Sequence, residues 1–222
     1  MENLLKYIHY GNKGIFLSKK LYSMGYRTRK DLLNHIKSGK SPKLPNISQI
    51  YIKYNPMKTT YKKSIDIINI LKKNIKNKII PVGSIRRKEN KNSDIDLLLL
   101  NENLEKTPQL NKIINKNTNI IFVEGNNRHQ KYIFKINNRS YLIDIFIFKK
   151  AELPYMLFHY TGNKQYNIRT RAYAKKKGWL LNQYGLWDRK TGNPIARTKI
   201  KTEKDLIKYI GISYKDPTNR IF

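Results

Sequence analysis

The stretch Ile79-Ile80-Pro81-Val82-Gly83-Ser84-Ile85-Arg86-Arg87, followed after a polar interval by Ser93-Asp94-Ile95-Asp96-Leu97-Leu98-Leu99-Leu100, decides how this chain is read. Residues 79–82 and 94–100 are short, strongly apolar and bounded by turn-forming residues, which predicts largely buried strands. A third such segment, residues 140–148, carries a lone Asp144 among Tyr141, Leu142, Ile143, Ile145, Phe146, Ile147 and Phe148. Side chains alternate faces along a strand, so Asp94 and Asp96 point the same way. By the same rule Asp144 shares a face with Leu142 and Phe146, and Ile143, Ile145 and Ile147 turn to the other side.

A carboxylate left unpaired on a buried strand is costly, so it either protonates or finds a cation. Three acids suit a pair of divalent ions about 3.5–4 Å apart, one lowering the pKa of an attacking hydroxyl and one neutralising a triphosphate. Mg²⁺ prefers oxygen ligands and keeps waters, so a few carboxylates plus substrate phosphates suffice. No His or Cys cluster at zinc spacing competes. Gly83 at a strand-to-helix turn lets the backbone approach a phosphate, and the N–H groups that open the next helix favour anions. Neither Gly83-Ser84 nor Asp94-x-Asp96 is specific alone. Their order, with the basic Arg86-Arg87-Lys88 between them and Asp144 after, implies metal-dependent nucleotidyl transfer from an incoming nucleoside triphosphate.

Charge narrows the partner. Against 46 Lys and Arg stand 15 Asp and Glu, a net +31. Such an excess implies an anionic partner, with nucleic acid first and an acidic membrane surface second. AT-rich compositional drift toward Lys, Asn, Ile and Tyr contributes to it. The 222 residues, 39% hydrophobic, are sized for one compact unit of two or three subdomains. No apolar run is long enough to predict a membrane span, and residues 1–7 lack a secretory signal's basic start and apolar centre. The absence of cysteine excludes disulfides and thiol chemistry and fits a cytosolic enzyme.

Residues 81–87, 93–96 and 142–144 together resemble the palm of the family X DNA polymerases, within the polymerase-beta-like nucleotidyltransferase superfamily. Farther on, Phe158-His159-Tyr160-Thr161-Gly162-Asn163, Asn167, Arg171 and Asn182-Gln183-Tyr184 resemble that family's nucleotide-selecting terminal subdomain. The resemblance runs from about residue 78 to the C-terminus and extends to the small viral repair members. It implies an α+β fold: a helical, fingers-like DNA-binding subdomain (1–74), a palm with a mixed sheet (75–150) and a small α/β nucleotide-selecting subdomain (151–222). It implies a monomer that fills short gaps in nicked or gapped DNA from dNTPs, with a DNA ligase acting next. The expected cofactor is a pair of Mg²⁺ ions, for which Mn²⁺ can substitute. The expected location is cytoplasmic, at a viral replication site or in a virion, with the nucleus left open.

The same resemblance distributes roles. Asp94, Asp96 and Asp144 are the catalytic metal ligands. Gly83, Ser84, Arg87 and Ser93 serve the nucleotide's phosphates; Tyr160 and Gly162 lie against its sugar and base, and Asn167 meets the base edge. His159 either senses the nucleotide or faces solvent. Arg171 touches the template, and Gly14, Lys19, Asn182 and Tyr184 are further DNA contacts. Gly14 to Gly25 reads as a helix and Thr28 as the cap of a second, resembling the family's helix-hairpin-helix, although Asn12-Lys13 stands where another glycine is expected. Two packed helices with a basic face explain the same pattern. Residues 49–54 and 61–73 have helical spacing, the latter turning Ile65, Ile68 and Leu71 inward. No segment is assigned to a lyase.

The chain also departs from the family. Gln183 stands where longer relatives have Glu, and Leu142 and Phe146 replace basic residues flanking the third Asp. Loss of those partners implies a looser closed state and modest fidelity. Two other readings stay open: a template-independent or RNA-directed nucleotidyltransferase, and a noncatalytic nucleic-acid-binding protein.

Overall fold

The computed structural model describes residues 4, 7, 8, 11–40, 42–105, 119–196 and 198–220, without the side chains of 11–13. Two compact units emerge: residues 1–57 with 136–140, and residues 58–135 with 141–222.

In the first unit, helix α1 (Gly11–Ser23) stops before Gly25, whose φ of 91° suits glycine. Helix α2 (Arg29–Ser38) opens on a capping box: Asp31 N donates to Thr28 Oγ1 at 3.2 Å and Thr28 N donates to Asp31 Oδ2 at 2.8 Å. Helix α3 (Asn46–Tyr54) starts three residues earlier than its sequence pattern suggests, directly after Pro45. Its last carbonyls are satisfied by Arg29, which donates to Ile52 O at 2.6 Å and Lys53 O at 3.0 Å. Leu4, Ile8, Leu21, Leu32, Leu44 and Ile52 form the core.

The second unit begins with β1 (Thr59–Thr60), then α4 (Tyr61–Asn74), whose N-terminus is capped by Thr60. Helix α4 buries Ser64, Ile67, Ile68 and Leu71; Ile65, expected inward, is only partly covered because the stripe centres on Ile67 and Ile68. Next come β2 (Ile79–Pro81), the single turn α5 (Gly83–Arg86), β3 (Lys91–Asn92), which pairs with β1, and β4 (Ile95–Leu100). Strands β5 (Ile120–Gly125), β6 (His129–Ile136) and β7 (Arg139–Phe148) complete a five-stranded sheet of order β2-β4-β7-β6-β5. The sheet is mixed, as expected: β4 runs antiparallel to β2 and parallel to β7, which sets Asp96 opposite Asp144. Asn137 and Asn138, at φ 49° and 59°, make the two-residue link from β6 to β7, a turn that tolerates Asn better than branched residues.

Beyond the sheet, α6 (Leu153–Thr161) packs Met156 against Val82, Leu98 and Phe148, which fixes the end of α6 near the Gly83 turn. Helix α7 (Lys164–Lys176), the hairpin of β8 (Trp179–Leu181) and β9 (Leu186–Asp188), and α8 (Glu203–Ile210) follow. Phe158 belongs to their core with Tyr155, Tyr166, Leu206 and Ile210.

Candidate active site

Among the described residues, Asp94, Asp96 and Asp144 form a group whose ligand atoms all lie within 4.8 Å of one another. The sheet explains the convergence. Asp94 and Asp96 share a face of the chain entering β4, and parallel pairing with β7 brings Asp144 alongside Asp96. The turn after β2 closes the group: a Cβ on Gly83 would stand 2.0 Å from Asp96 Oδ2, and the residue sits at φ 58°. Gly83 is therefore required by space as well as by backbone conformation.

The three carboxyls differ electrostatically. Burial, then the charges of Asp94 and Asp144, pushes Asp96 up to about 8. Burial also raises Asp94, against a 3.0 Å hydrogen bond from Ser93 Oγ. At Asp144 burial acts upward too, but His129 and Lys131 outweigh it and hold the carboxyl below its ordinary range. Lys131 Nζ donates to Asp144 Oδ1 at 2.5 Å, and His129 Nε2 lies 2.7 Å from the same oxygen. A hard-oxygen donor set this tight, with one member driven toward protonation by burial and by its acidic neighbours, fits divalent cations such as Mg²⁺.

The basic turn faces the end of α6. Arg87 Nε donates to Glu89 Oε1 at 2.7 Å, and Arg87 Nη1 donates to the Thr161 carbonyl. Arg86 Nη1 donates to Thr161 Oγ1 at 2.6 Å and Arg86 Nη2 to Glu203 Oε2 at 2.8 Å. Glu203 Oε1 in turn pairs at 2.7 Å with Arg220, whose side chain is wholly buried. Gly162 lies beside Arg87: a Cβ there would come within 3.3 Å of Nη1.

His159 does not face solvent freely. Its Nδ1 lies 2.7 Å from Arg171 Nη2, its backbone carbonyl accepts from Asn167 Nδ2 at 2.7 Å, and its ring tilts against Tyr160. Burial, with the Arg171 charge, lowers its pKa to about 4, so the imidazole is neutral near pH 7. Tyr160 stacks on Phe146 at 3.8 Å, and burial, then Tyr184, pushes its hydroxyl up to about 12.

Most of the expected nucleotide-site residues thus meet in the second unit: Gly83, Arg87, Ser93, Tyr160, Gly162 and the three acids, with Ser84 half-buried in α5. Asn167 and Arg171 are tied to His159. Asn182 Oδ1 accepts from Tyr184 N and Gly185 N at 2.9 and 3.0 Å, so its amide shapes the β8–β9 turn, while Tyr184 lies under Arg128 at 4.7 Å. Gly14 and Lys19 belong to the first unit: Gly14 is buried, its carbonyl accepting from Ser18 Oγ at 2.8 Å, and Lys19 is exposed. The side chains of Asn12 and Lys13 lie outside the described residues.

Sequence reading missed His129, Lys131, Glu203 and Arg220. It expected Asp144 to lack basic partners because Leu142 and Phe146 flank it; the basic partners come instead from the neighbouring strand β6. The available signal was His129-x-Lys131, two basic residues on one strand face.

Two strand-borne carboxylates and a third at the entry to β4, set against a Gly-Ser turn, with arginines reaching a Thr-Gly helix end, define a nucleotidyltransferase. Known proteins agree. A nucleotidyltransferase domain matches residues 64–174 and a DNA polymerase beta thumb matches residues 156–221. The repair DNA polymerase X of African swine fever virus is 39% identical over 157 residues, spanning 70% of this chain and 86% of that protein. The DNA nucleotidylexotransferase of Xenopus laevis is 25% identical over 258 residues, 93% of this chain and 50% of that protein. The fold matches Leishmania infantum polymerase beta, solved as a ternary P/T complex, with a TM-score of 0.73 at 21% identity over 99% of this chain and 100% of that one. The chain belongs to the family X DNA polymerases.

Proposed function

We propose that this protein fills short gaps in DNA during repair, adding dNTPs to a primer 3′-hydroxyl opposite a template. The observation that carries this reading is the carboxylate triad, with ligand atoms within 4.8 Å of one another, against the Gly83 turn. Asp94, Asp96 and Asp144 would hold two Mg²⁺, or Mn²⁺ in their place. When bound, these ions lower the pKa of the attacking hydroxyl and offset the triphosphate charge. Ser84, Arg87 and the backbone N–H groups of the turn receive the phosphates, and Tyr160 with Gly162 receives the sugar and base. The primer oxygen forms a bond to the α-phosphorus as the bond to the β-phosphate oxygen breaks, releasing pyrophosphate. Positioning and electrostatics supply most of the acceleration. The product is a nick, which calls for a ligase.

The similarity to a nucleotidylexotransferase makes template dependence the property to test. On a one-nucleotide gap with Mg²⁺, the protein should insert the complementary nucleotide, whereas Asp144→Ala should lose at least about a thousandfold in rate. Equal insertion of all four dNTPs without a template, or equal activity of Asp144→Ala, would overturn the reading.

A further inference from the structure

Asp144 is the best-held of the three acids, and what holds it reaches well beyond the metal site. Both hydrogen bonds from β6 fall on Oδ1, from Lys131 Nζ at 2.5 Å and His129 Nε2 at 2.7 Å. Oδ2 is then the oxygen that the carboxylate can offer to a cation. The His129 ring is also one face of an aromatic stack. It lies 4.6 Å from the Phe146 ring at an interplanar angle of 19°, and Phe146 lies 3.8 Å from Tyr160 at 21°. Tyr160 in turn abuts His159 at 4.5 Å. Phe146 shares the sheet face of Asp144, two residues along β7, so the stack runs beside the carboxylate and ends on the turn assigned to the nucleotide.

Near-parallel rings at these separations resist independent displacement, because sliding one uncovers apolar surface on both neighbours. A shift of Tyr160 is therefore passed through Phe146 to the His129 ring, and from His129 Nε2 to Asp144 Oδ1. We infer that His129 is a positioning residue that couples the placement of Tyr160 to the orientation of Asp144. Lys131 supplies charge at the same oxygen but takes no part in the stack. His129 alone joins both systems among the described residues. The inference rests on the proposed assignment of Asp144 as a metal ligand and Tyr160 as a nucleotide contact.

The test is a double-mutant cycle read by Mn²⁺ binding to the DNA-free, nucleotide-free protein, so it does not depend on which substrate the enzyme uses. His129→Gln keeps a donor for Asp144 and removes the ring; Tyr160→Leu removes the far end of the stack without removing a metal ligand. Thermal unfolding confirms that each variant folds, and His129, 37% exposed, tolerates the change best. Tyr160→Leu should weaken Mn²⁺ binding about threefold in the wild-type background and leave it unchanged in His129→Gln, the non-additivity expected of linked residues. In gap filling, His129→Phe, which keeps the ring and loses the donor, should lower kcat about tenfold with KM for dNTP within twofold. An equal loss of Mn²⁺ affinity from Tyr160→Leu in both backgrounds, or none in either, would overturn the coupling. Coupled Mn²⁺ binding in a protein that does not extend primers would leave the inference standing and sink the polymerase reading.

Discussion

Asp96 fills the space that a side chain on Gly83 would need: its carboxylate oxygen Oδ2 lies 2.0 Å from where that side chain would begin. The turn that could receive phosphate and the acid that could receive metal are thereby held against each other, with no side chain between them.

Gly83→Ala should therefore fail twice, by backbone strain at φ 58° and by displacing Asp96. The strain costs about 1–3 kcal/mol. We expect a lower melting temperature and a loss of at least about a hundredfold in gap-filling rate. A variant that melts lower but inserts at the wild-type rate would show that Asp96 can move without consequence.

Asp96 inverts the usual pH behaviour of a carboxylate. Its metal-free folded pKa of about 8 stands above the ordinary 3.8, so the folded state binds the proton more tightly than the unfolded state. The contribution favours folding below about pH 4 and is lost as pH rises toward 8. Thermal unfolding in chelator should show Asp96→Asn gaining on wild type between pH 4 and 8, with a constant difference above. Mg²⁺ should erase the gain, since the cation substitutes for the proton.

Glu203 lies between Arg86 and the fully buried Arg220. Glu203→Gln leaves the Arg220 charge without its counter-ion, at a cost of about 3–5 kcal/mol. Replacing both partners, as Glu203→Gln with Arg220→Met, should destabilise less than the single change. Denaturant melts of the three proteins test the order; a single variant as stable as wild type would remove the ion pair from any structural role.

A net charge of +31 should register as phosphate neutralisation. With six to ten phosphate contacts, affinity for gapped duplex falls about 10³–10⁵-fold between 50 and 200 mM salt. Fluorescence anisotropy across that range measures the slope. A shallow one would assign most of the excess Lys and Arg to composition rather than contact.

Asp94 and Asp96 were legible as a pair because strand periodicity is short-range: two residues apart means one face, whatever the sheet around it. The same holds for the Thr28 helix start, where the capping residue and its Asp partner lie three positions apart. Asp144 stood out as a lone acid in an apolar run and through the family resemblance, and its place beside Asp96 comes from the pairing of β4 with β7. What could not be read was pairing across strands. Lys131 and His129 lie 13 and 15 residues before Asp144 and reach it only because β6 is the neighbour of β7.

The sequence alone thus determined which groups are candidates for the chemistry and which local turns present them, since residue type and spacing dictate hydrogen bonding and face. Tertiary structure decided how those groups are tuned. It is the sheet order that gives Asp144 two basic partners, leaves Asp96 beside like charges and stacks His129 on Phe146 and Tyr160. Such effects fall off over a few ångströms in space, a distance that chain separation does not encode.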